Sequence, residues 1–167
     1  MLVLIKSMKE LNFGQLMSVY EEGNLENGRE FYPGLSQNQQ ILRAEQDFYQ
    51  YLRECFFKTD GALYAVWVEK GKYVSALRLE PYRDGLLLEA LETAPEYRQK
   101  GYAKQLIAAV LALPVVDKVY SHVHKKNTAS MRTHESCGFR KVLDYAANID
   151  GSVSSNSYTL CYTKTAR

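Results

Sequence analysis

Apolar positions along the first third of the chain recur with the spacing of strands and helices. The apolar run from Leu2 to Ile5 is typical of a short strand. From Lys9 to Glu22 apolar residues return every three or four positions, which predicts a helix. The same spacing from Ile41 to Phe56 predicts a second helix. Between them, Gly23 to Gln40 follows neither period and is rich in Gly, Asn and Gln, so we predict a long loop there.

The middle of the chain changes to runs of β-branched and aromatic residues. Ala62 to Glu69 and Lys72 to Glu80 flank a Lys70-Gly71 turn, and this pattern predicts a β-hairpin. A further turn at Arg83-Asp84-Gly85 leads into the apolar segment Leu86 to Ala94. Because that connection is short, we expect this segment to be a strand paired antiparallel with its predecessor.

Helices and strands alternate in the last part of the chain. Helical segments are predicted over Gly101 to Leu113 and Asn127 to Cys137, with a strand from Lys118 to His124 between them, and residues 138–164 predict a final pair of strands. The order is β-α-α-β-β-β-α-β-α-β-β. It predicts a single α/β (α+β) domain over residues 1–167, with a mixed central sheet of about six to seven strands flanked by about four helices.

Composition and charge agree with one globular domain. Hydrophobic residues make up 46% and charged residues 24% of the 167 residues, so the chain can bury a core without disulfides or metal. A net charge of +2, without long runs of like charge, gives no support to a nucleic-acid partner. The N-terminal apolar run is too short for a signal peptide, and the longest apolar stretch, Leu106 to Val116, is broken by Pro114. We therefore expect a cytoplasmic protein without a membrane partner.

The three cysteines Cys55, Cys137 and Cys161 are odd in number and far apart. This usage suits a reducing compartment better than a disulfide framework. We expect three buried thiols.

A candidate anion site lies at the start of the predicted helix at Gly101. Arg98, Gly101 and Ala103 form the pattern Arg-x-x-Gly-x-Ala directly before a helix whose first amides lack partners. Small residues let the backbone approach an anion, and the helix dipole favours negative charge. Arg98, Lys100 and Lys104 can add side-chain charge around a diphosphate. The alternative is a helix start with a glycine for packing, and the pattern alone favours it.

A second pattern downstream changes that balance. In "NTASMRTHESCGF", Asn127, Ser130, His134, Gly138 and Phe139 follow the spacing Asn-x-x-Ser-x-x-x-His-x-x-x-Gly-Phe. Together the two segments resemble the GNAT superfamily of N-acetyltransferases, which shows Arg/Gln-x-x-Gly-x-Gly/Ala on one helix and Asn-x-x-Ala/Ser-x-x-x-Tyr-x-x-x-Gly-Phe on the next. The resemblance is specific between Leu86 and Leu143 and topological elsewhere.

The resemblance implies that acetyl-CoA is the co-substrate. Its pyrophosphate would lie against backbone amides of the segment Arg98, Gln99, Lys100, Gly101, Tyr102, Ala103 and Lys104. Its pantetheine arm would pair with the fourth strand at Leu91, Glu92, Thr93 and Ala94, where the family carries a bulge and the strand separates from the fifth. Asn127 and Ser130 would lie beside the arm. Asn and Ser at helix starts are more often caps than ligand contacts, and both roles can coexist.

The activity implied is transfer of the acetyl group to a primary amine by direct attack through a tetrahedral intermediate. That reaction needs a neutral amine, an oxyanion donor and a proton for the leaving thiol. The resemblance places the oxyanion donor at a free amide of the fourth strand near Thr93. Where the family usually has an acidic tyrosine, this chain has His134, which either supplies the proton or only packs over pantetheine. Tyr145 is a weaker substitute.

Two residues are candidates for the general base. Glu89 is the first choice, because strict strand alternation puts it on one face with Leu91 and Thr93 while Glu92 points to the other. His122 is the second choice, from a position where some relatives offer a carboxylate. Many family members use ordered water for this step.

A metal site is the rival interpretation of the same histidines. His122 and His124 on a strand, with His134 and Cys137 on a helix, are four groups that zinc can bind. Each already fits a position in the acetyltransferase pattern, so we expect no metal.

The resemblance places the acceptor between the predicted loop Gly23 to Gln40 and the segment Ala146 to Ser157. Carboxylates beside aromatics in the first segment suit a cationic amine, on a small molecule or a peptide. An exposed acidic loop anchored by aromatics is the alternative. The other function considered is a CoA-binding module that has lost catalysis and acts in regulation or interaction. The sequence leaves the oligomeric state open, with a homodimer as one outcome.

Overall fold

A computed structural model describes residues 1–165 of the chain. Its strands are β1 Leu2–Ile5, β2 Leu63–Glu69, β3 Lys72–Tyr82, β4 Gly85–Thr93, β5 Lys118–His124, β6 Arg140–Leu143, β7 Ala146–Ala147, β8 Val153–Ser154 and β9 Ser157–Thr163. Its α-helices are α1 Phe13–Val19, α2 Glu21–Phe31, α3 Gln37–Glu54, α4 Tyr102–Leu111 and α5 Thr128–Ser136.

Seven strands form one mixed sheet in the order β1-β2-β3-β4-β5-β9-β6, and β7 and β8 form a separate two-stranded hairpin. Every neighbouring pair in the large sheet is antiparallel except β4 and β5, which are parallel. The predicted α/β fold with a mixed central sheet is therefore confirmed.

Two hydrophobic layers cover the two faces of the sheet. One layer packs α1 and α3 against the sheet around Leu16, Leu52 and Tyr64, all fully buried. The other places α4 against the opposite face, around Leu79 and Ile107. Helices on both faces let the central strands β3 and β4 be apolar on both sides.

The hairpin β2–β3 forms where the sequence predicts it. Lys70 and Gly71 both have positive φ, 48° and 77°, the conformation that tight two-residue hairpin turns require. The turn before β4 also has a left-handed residue, Arg83 at φ 50°, and β4 pairs antiparallel with β3 as expected.

The long loop predicted from Gly23 to Gln40 is wrong. Helix α2 covers Glu21–Phe31, and α3 begins at Gln37 behind a capping box formed by Ser36 and Gln39. Gly28 shows the reason: a Cβ at this position would lie 2.5 Å from the backbone oxygen of Gln40. The glycine allows α2 and α3 to cross closely. The composition of α2 resembles that of a loop, so the sequence pattern did not indicate a helix.

Other boundaries shift for local reasons. The predicted helix from Lys9 to Glu22 is split, because α1 begins behind the N-cap Asn12 and the chain turns at Tyr20 into α2. The second predicted helix starts before Ile41, at the capping box. No helix within residues 1–165 is long and apolar enough to cross a membrane.

The expectation of three buried thiols is also wrong. Cys55 follows the last residue of α3 and is exposed, and Cys137 and Cys161 are only partly buried. All three are free thiols.

Candidate active site

The segment before α4 forms an open turn with free amides. Gln99 and Gly101 both have left-handed φ values, 59° and 82°, and Gly101 is the N-cap of α4. The first α4 amide that is bonded belongs to Gln105, which donates to the Gly101 carbonyl at 3.0 Å. Within residues 1–165 the amides of residues 101–104 have no hydrogen-bond partner, so they are available to an anion at the positive end of the helix dipole.

The space in front of these amides is open. A Cβ built on Gly101 would meet only the side-chain amide of Gln105, at 3.9 Å. The glycine is therefore needed for its left-handed φ and not to avoid a clash within the chain. This geometry fits a bound diphosphate.

Side-chain charge around this turn is smaller than the sequence suggested. The Arg98 guanidinium points away, toward the Glu22 carboxylate at 2.7 Å and the Thr93 carbonyl at 3.2 Å. Lys100 donates to the Glu96 carbonyl at 3.2 Å. Arg98 joins α2 to the end of β4, and of the three predicted cations only Lys104 has a side chain without a hydrogen bond within residues 1–165.

Strands β4 and β5 separate after a short pairing. Their parallel register covers only Leu86–Leu88 against Val119–Ser121. Beyond it lies a cavity of about 190 Å³. The predicted site residues that line it are Glu89, Leu91, His122, Asn127, Ser130 and His134. Glu92, Thr93 and Ala94 lie outside the cavity. On one side they bond to β3, and on the other side they have no strand partner within residues 1–165.

A bulge in β4 overturns the predicted facing of its carboxylates. Glu89 pairs with Arg78 and Glu92 pairs with Ala76, so Ala90 and Leu91 together oppose a single β3 residue. The extra residue reverses the alternation, which puts Glu89 and Glu92 on one face, toward α1–α3. The prediction that Glu89 shares a face with Leu91 and Thr93 is therefore wrong.

Glu89 belongs to a buried carboxyl pair that the sequence did not reveal. Burial, together with a hydrogen bond and the charge of Glu80, raises the pKa of Glu89 to about 8. Glu80 itself is 8% exposed. Within residues 1–165, Oε2 of Glu89 and Nε of Arg78 are buried without a hydrogen-bond partner. The charged pattern Arg78-x-Glu80 inside an apolar strand was the signal that could have indicated this pair.

Arg78 supplies the compensating positive charge beneath the carboxyls. Its guanidinium lies over the rings of Tyr51 at 5.1 Å and Phe56 at 5.7 Å. Aromatic faces attract a cation and replace part of its lost hydration. The site thus combines a buried cation, Arg78, with two neighbouring carboxyls, of which Glu89 has a raised pKa.

His122 lines the same cavity from β5. Burial, and secondly the charge of Arg83, lower the pKa of His122. Its ring lies edge-on against Tyr82 with centroids 5.6 Å apart, and the Tyr82 hydroxyl donates to the Ala147 carbonyl. His122 is therefore neutral at pH 7 and available as a base.

Both ring nitrogens of His134 are engaged. Nδ1 lies 2.8 Å from the Ser130 carbonyl and Nε2 lies 2.9 Å from the Ser121 hydroxyl. The carbonyl can only accept, so Nδ1 carries the proton, and Nε2 accepts from Ser121. Burial lowers the pKa of His134, which is 1% exposed and packs edge-on against Phe139. This geometry agrees with the packing alternative, and the acid role stays a prediction.

The remaining candidate residues differ in where they lie relative to the cavity. The Asn127 side chain accepts from the Ser130 amide at 3.1 Å, so it caps α5 while it lines the cavity. Within residues 1–165 no three His, Cys, Asp or Glu side chains are grouped to hold a metal. Tyr145 is 41% exposed and lies outside the cavity lining.

The acceptor side differs from the prediction in form. The first predicted loop is helix α2 and the start of α3, while residues 146–157 contain the hairpin β7–β8. Burial raises the pKa of Glu92; Arg98 opposes this shift, and Glu22 and Glu26 of α2 add to it. Carboxylates from α2 and β4 therefore lie near enough to influence one another.

Comparisons with known proteins agree with this geometry. The family model described as acetyltransferase (GNAT) family matches residues 28–139. No protein of curated function matches the chain in sequence.

Solved structures share the fold at low identity. A Pyrococcus horikoshii OT3 protein is 18% identical with a TM-score of 0.66, covering 99% of this chain and 100% of its own. The PaiA N-acetyltransferase from Thermoplasma acidophilum, solved with coenzyme A, is 14% identical with a TM-score of 0.63, covering 98% and 99%. The ribosomal-protein-S18-alanine N-acetyltransferase from Escherichia coli is 16% identical with a TM-score of 0.61, covering 100% and 96%.

Proposed function

The chain belongs to the acetyltransferase (GNAT) family, and from that premise we propose that it transfers the acetyl group of acetyl-CoA to a primary amine. The observation that carries the proposal is the cavity between β4 and β5. It lies where the two strands separate and is lined by a carboxyl of raised pKa, and β4 leads along the chain to a helix start with free amides. One side is suited to the donor and the other to the acceptor.

The donor side fits acetyl-CoA, which supplies the acetyl group as an activated thioester. The amides of residues 101–104 would hold its pyrophosphate. The free edge of β4 from Leu91 to Ala94 would pair with the pantetheine arm in the manner of an added strand. Asn127 and Ser130 line the cavity beside that path.

The oxyanion donor is best assigned to the Leu91 amide. Thr93 pairs regularly with Ser75, whereas Ala90 and Leu91 lie outside the register of both neighbouring strands. An amide released by a bulge can donate to the acetyl carbonyl as negative charge develops on its oxygen. The proposed donor is thus the amide two residues before Thr93, at the bulge.

Glu89 is the preferred base. An alkylamine is protonated at pH 7 because its pKa is near 10.4, so it must lose a proton before it can attack. A carboxyl with a pKa of about 8 matches that task better than an ordinary glutamate, because the proton it accepts is held more firmly. His122 lies in the same cavity and is the second candidate.

The acceptor is proposed to be a cationic amine on a small molecule or a peptide. The carboxylates of Glu22, Glu26 and Glu92 influence one another at the acceptor side and attract positive charge. The Thermoplasma and Escherichia coli structures are N-acetyltransferases by name, which supports an amine acceptor without selecting one.

The test is thiol release from acetyl-CoA across a panel of polyamines, amino acids, amino sugars and peptide N-termini. We expect release with at least one cationic amine, together with acetylated product by mass spectrometry. Glu89→Gln should lower kcat by about 10²-fold or more, because general base catalysis typically contributes that much. Glu135→Gln, an exposed change on α5, is the matched control. CoA binding without release from any amine would instead support the regulatory module.

A further inference from the structure

The β4 bulge holds an alanine in an unfavourable conformation. Ala90 has φ 51°, in the left-handed region where its Cβ is crowded by the backbone. Neither β3 nor β5 pairs with Ala90 or Leu91 in register. A strained non-glycine residue persists only where its surroundings fix it, so another contact must hold this peptide.

Tyr20 makes that contact. It lies at the junction of α1 and α2, 6% exposed, and its hydroxyl donates to the Ala90 carbonyl at 2.6 Å. The hydroxyl of Tyr64, which is fully buried, donates to the Tyr20 oxygen at 2.9 Å. Phe48 packs against the Tyr20 ring with centroids 5.1 Å apart. The Tyr20 proton therefore has one acceptor, and the ring has little freedom to move.

The direction of the Ala90 carbonyl determines the direction of the Leu91 amide. In a planar trans peptide the carbonyl and the following N–H point opposite ways. With the Ala90 carbonyl turned toward Tyr20 in the α1–α3 layer, the Leu91 N–H points away from that layer. Leu91 lines the cavity, so an amide turned away from the α1–α3 layer at this residue is suited to face the space where β4 and β5 separate.

We propose that Tyr20 is a positioning residue for acetyl transfer: its hydroxyl fixes the Ala90–Leu91 peptide so that the Leu91 amide faces the acetyl carbonyl. This inference rests on the proposed function. Through Tyr20, the junction of α1 and α2 would affect catalysis although no residue of α1 lines the cavity. Donors aimed in advance at the developing charge act without reorganisation at the moment of reaction.

The test is Tyr20→Phe, which removes one oxygen and leaves the ring. We expect kcat to fall about 10- to 100-fold, because a small misplacement of a reacting or donor group costs rates of that order. The KM for acetyl-CoA should stay within about twofold, since the pyrophosphate and pantetheine contacts lie elsewhere. Amide hydrogen exchange at Leu91, measured with CoA bound, should become faster.

Two further variants separate positioning from stability. Tyr73→Phe removes a hydroxyl that accepts from the Asn12 amide at 3.1 Å in the same layer, and it should leave kcat nearly unchanged. Adding Ala90→Gly to Tyr20→Phe should recover a large part of kcat, because glycine adopts positive φ without the Cβ penalty. A purely structural role for Tyr20 predicts neither a larger loss of kcat in Tyr20→Phe than in Tyr73→Phe nor the recovery of kcat by Ala90→Gly.

The two proposals fail in different ways. If the wild-type chain releases no thiol with any amine, the proposed function fails, and Tyr20 is then judged by Leu91 exchange and by the affinity for acetyl-CoA relative to CoA. If the wild-type chain is active and Tyr20→Phe has unchanged kcat, the positioning role is overturned. Equal losses in Tyr20→Phe and Tyr73→Phe would also overturn it.

Discussion

Single residues in this protein depart from their ordinary chemistry where strand geometry buries them together. Glu89 and Glu80 share one face with Arg78, and burial, with the hydrogen bond and charge of Glu80, raises the pKa of Glu89 to about 8. His134 is buried too, but both of its nitrogens already have partners. Residue type alone made Glu89 and His134 candidates for acid–base work, and only their contacts separate them.

The raised pKa of Glu89 predicts a rate that increases with pH. In the proposed mechanism the ionised carboxylate is the base, so kcat/KM should rise about tenfold per pH unit below the pKa of about 8 and level off above it. Glu80→Gln removes the neighbouring charge, which should lower the pKa of Glu89 and move the rise to lower pH. The measurement is a pH–rate profile at saturating acetyl-CoA. An unchanged profile in Glu80→Gln would show that another group titrates.

The same shift has the opposite effect on stability. A carboxyl whose pKa is about 8 in the folded state and near 4.3 in the unfolded chain is protonated more in the folded state between these values. Its contribution to the free energy of unfolding is present below pH 4 and is lost as the pH rises toward 8. Activity therefore increases over the range in which this contribution declines.

Whole elements were predictable from the sequence where one periodicity dominates. Strands β2 to β5 and helix α4 lie where the apolar pattern places them, because burial on the sheet requires that pattern. Helix α2 was missed because most of it faces solvent or meets α3 through a glycine, so its polar sequence resembles a loop. The family resemblance implied a bulge in the fourth strand, but its position at Ala90 was not predicted, because no residue type marks a left-handed alanine.

Two glycines in α2 provide a test of the helix crossing. Gly28→Ala places a Cβ 2.5 Å from the Gln40 oxygen, so we expect destabilisation of about 1–3 kcal/mol from overpacking. Gly23→Ala has no atom within 4 Å of the new Cβ and should stabilise by about 0.5–1 kcal/mol, since alanine favours a helix. Urea unfolding followed by circular dichroism measures both. Changes of the same sign would contradict the described crossing.

At the scale of the whole molecule, the groups proposed to bind the donor and the acceptor are brought together only by the fold. The free amides at α4, the β4 edge and the carboxylates of α2 come from separate parts of the chain. The two-part sequence motif predicted the donor side, because its spacing is set by a helix and a strand. The proposed acceptor side depends on long-range packing such as that between α2 and α3, which no local pattern encodes.

Ligand binding should stabilise the whole fold. A ligand at about 100 times its Kd adds about 2.7 kcal/mol to the free energy of unfolding, so CoA should raise the melting temperature. Gly101→Asp puts a carboxylate beside the free amides and should abolish that rise. Gly71→Asp, at φ 77° in the β2–β3 turn, introduces similar backbone strain and should keep it. An equal rise in both variants would exclude the proposed pyrophosphate site.

The brief pairing of β4 with β5 also bears on how the protein survives in a cell. Three residue pairs join two panels of the sheet, and beyond them the two strands separate around a cavity. Opening along such a seam needs less free energy than global unfolding. A pantetheine arm bound to the free edge of β4, as proposed, would stabilise the closed form. We therefore expect bound CoA, the proposed co-substrate, to slow digestion of the chain by proteases.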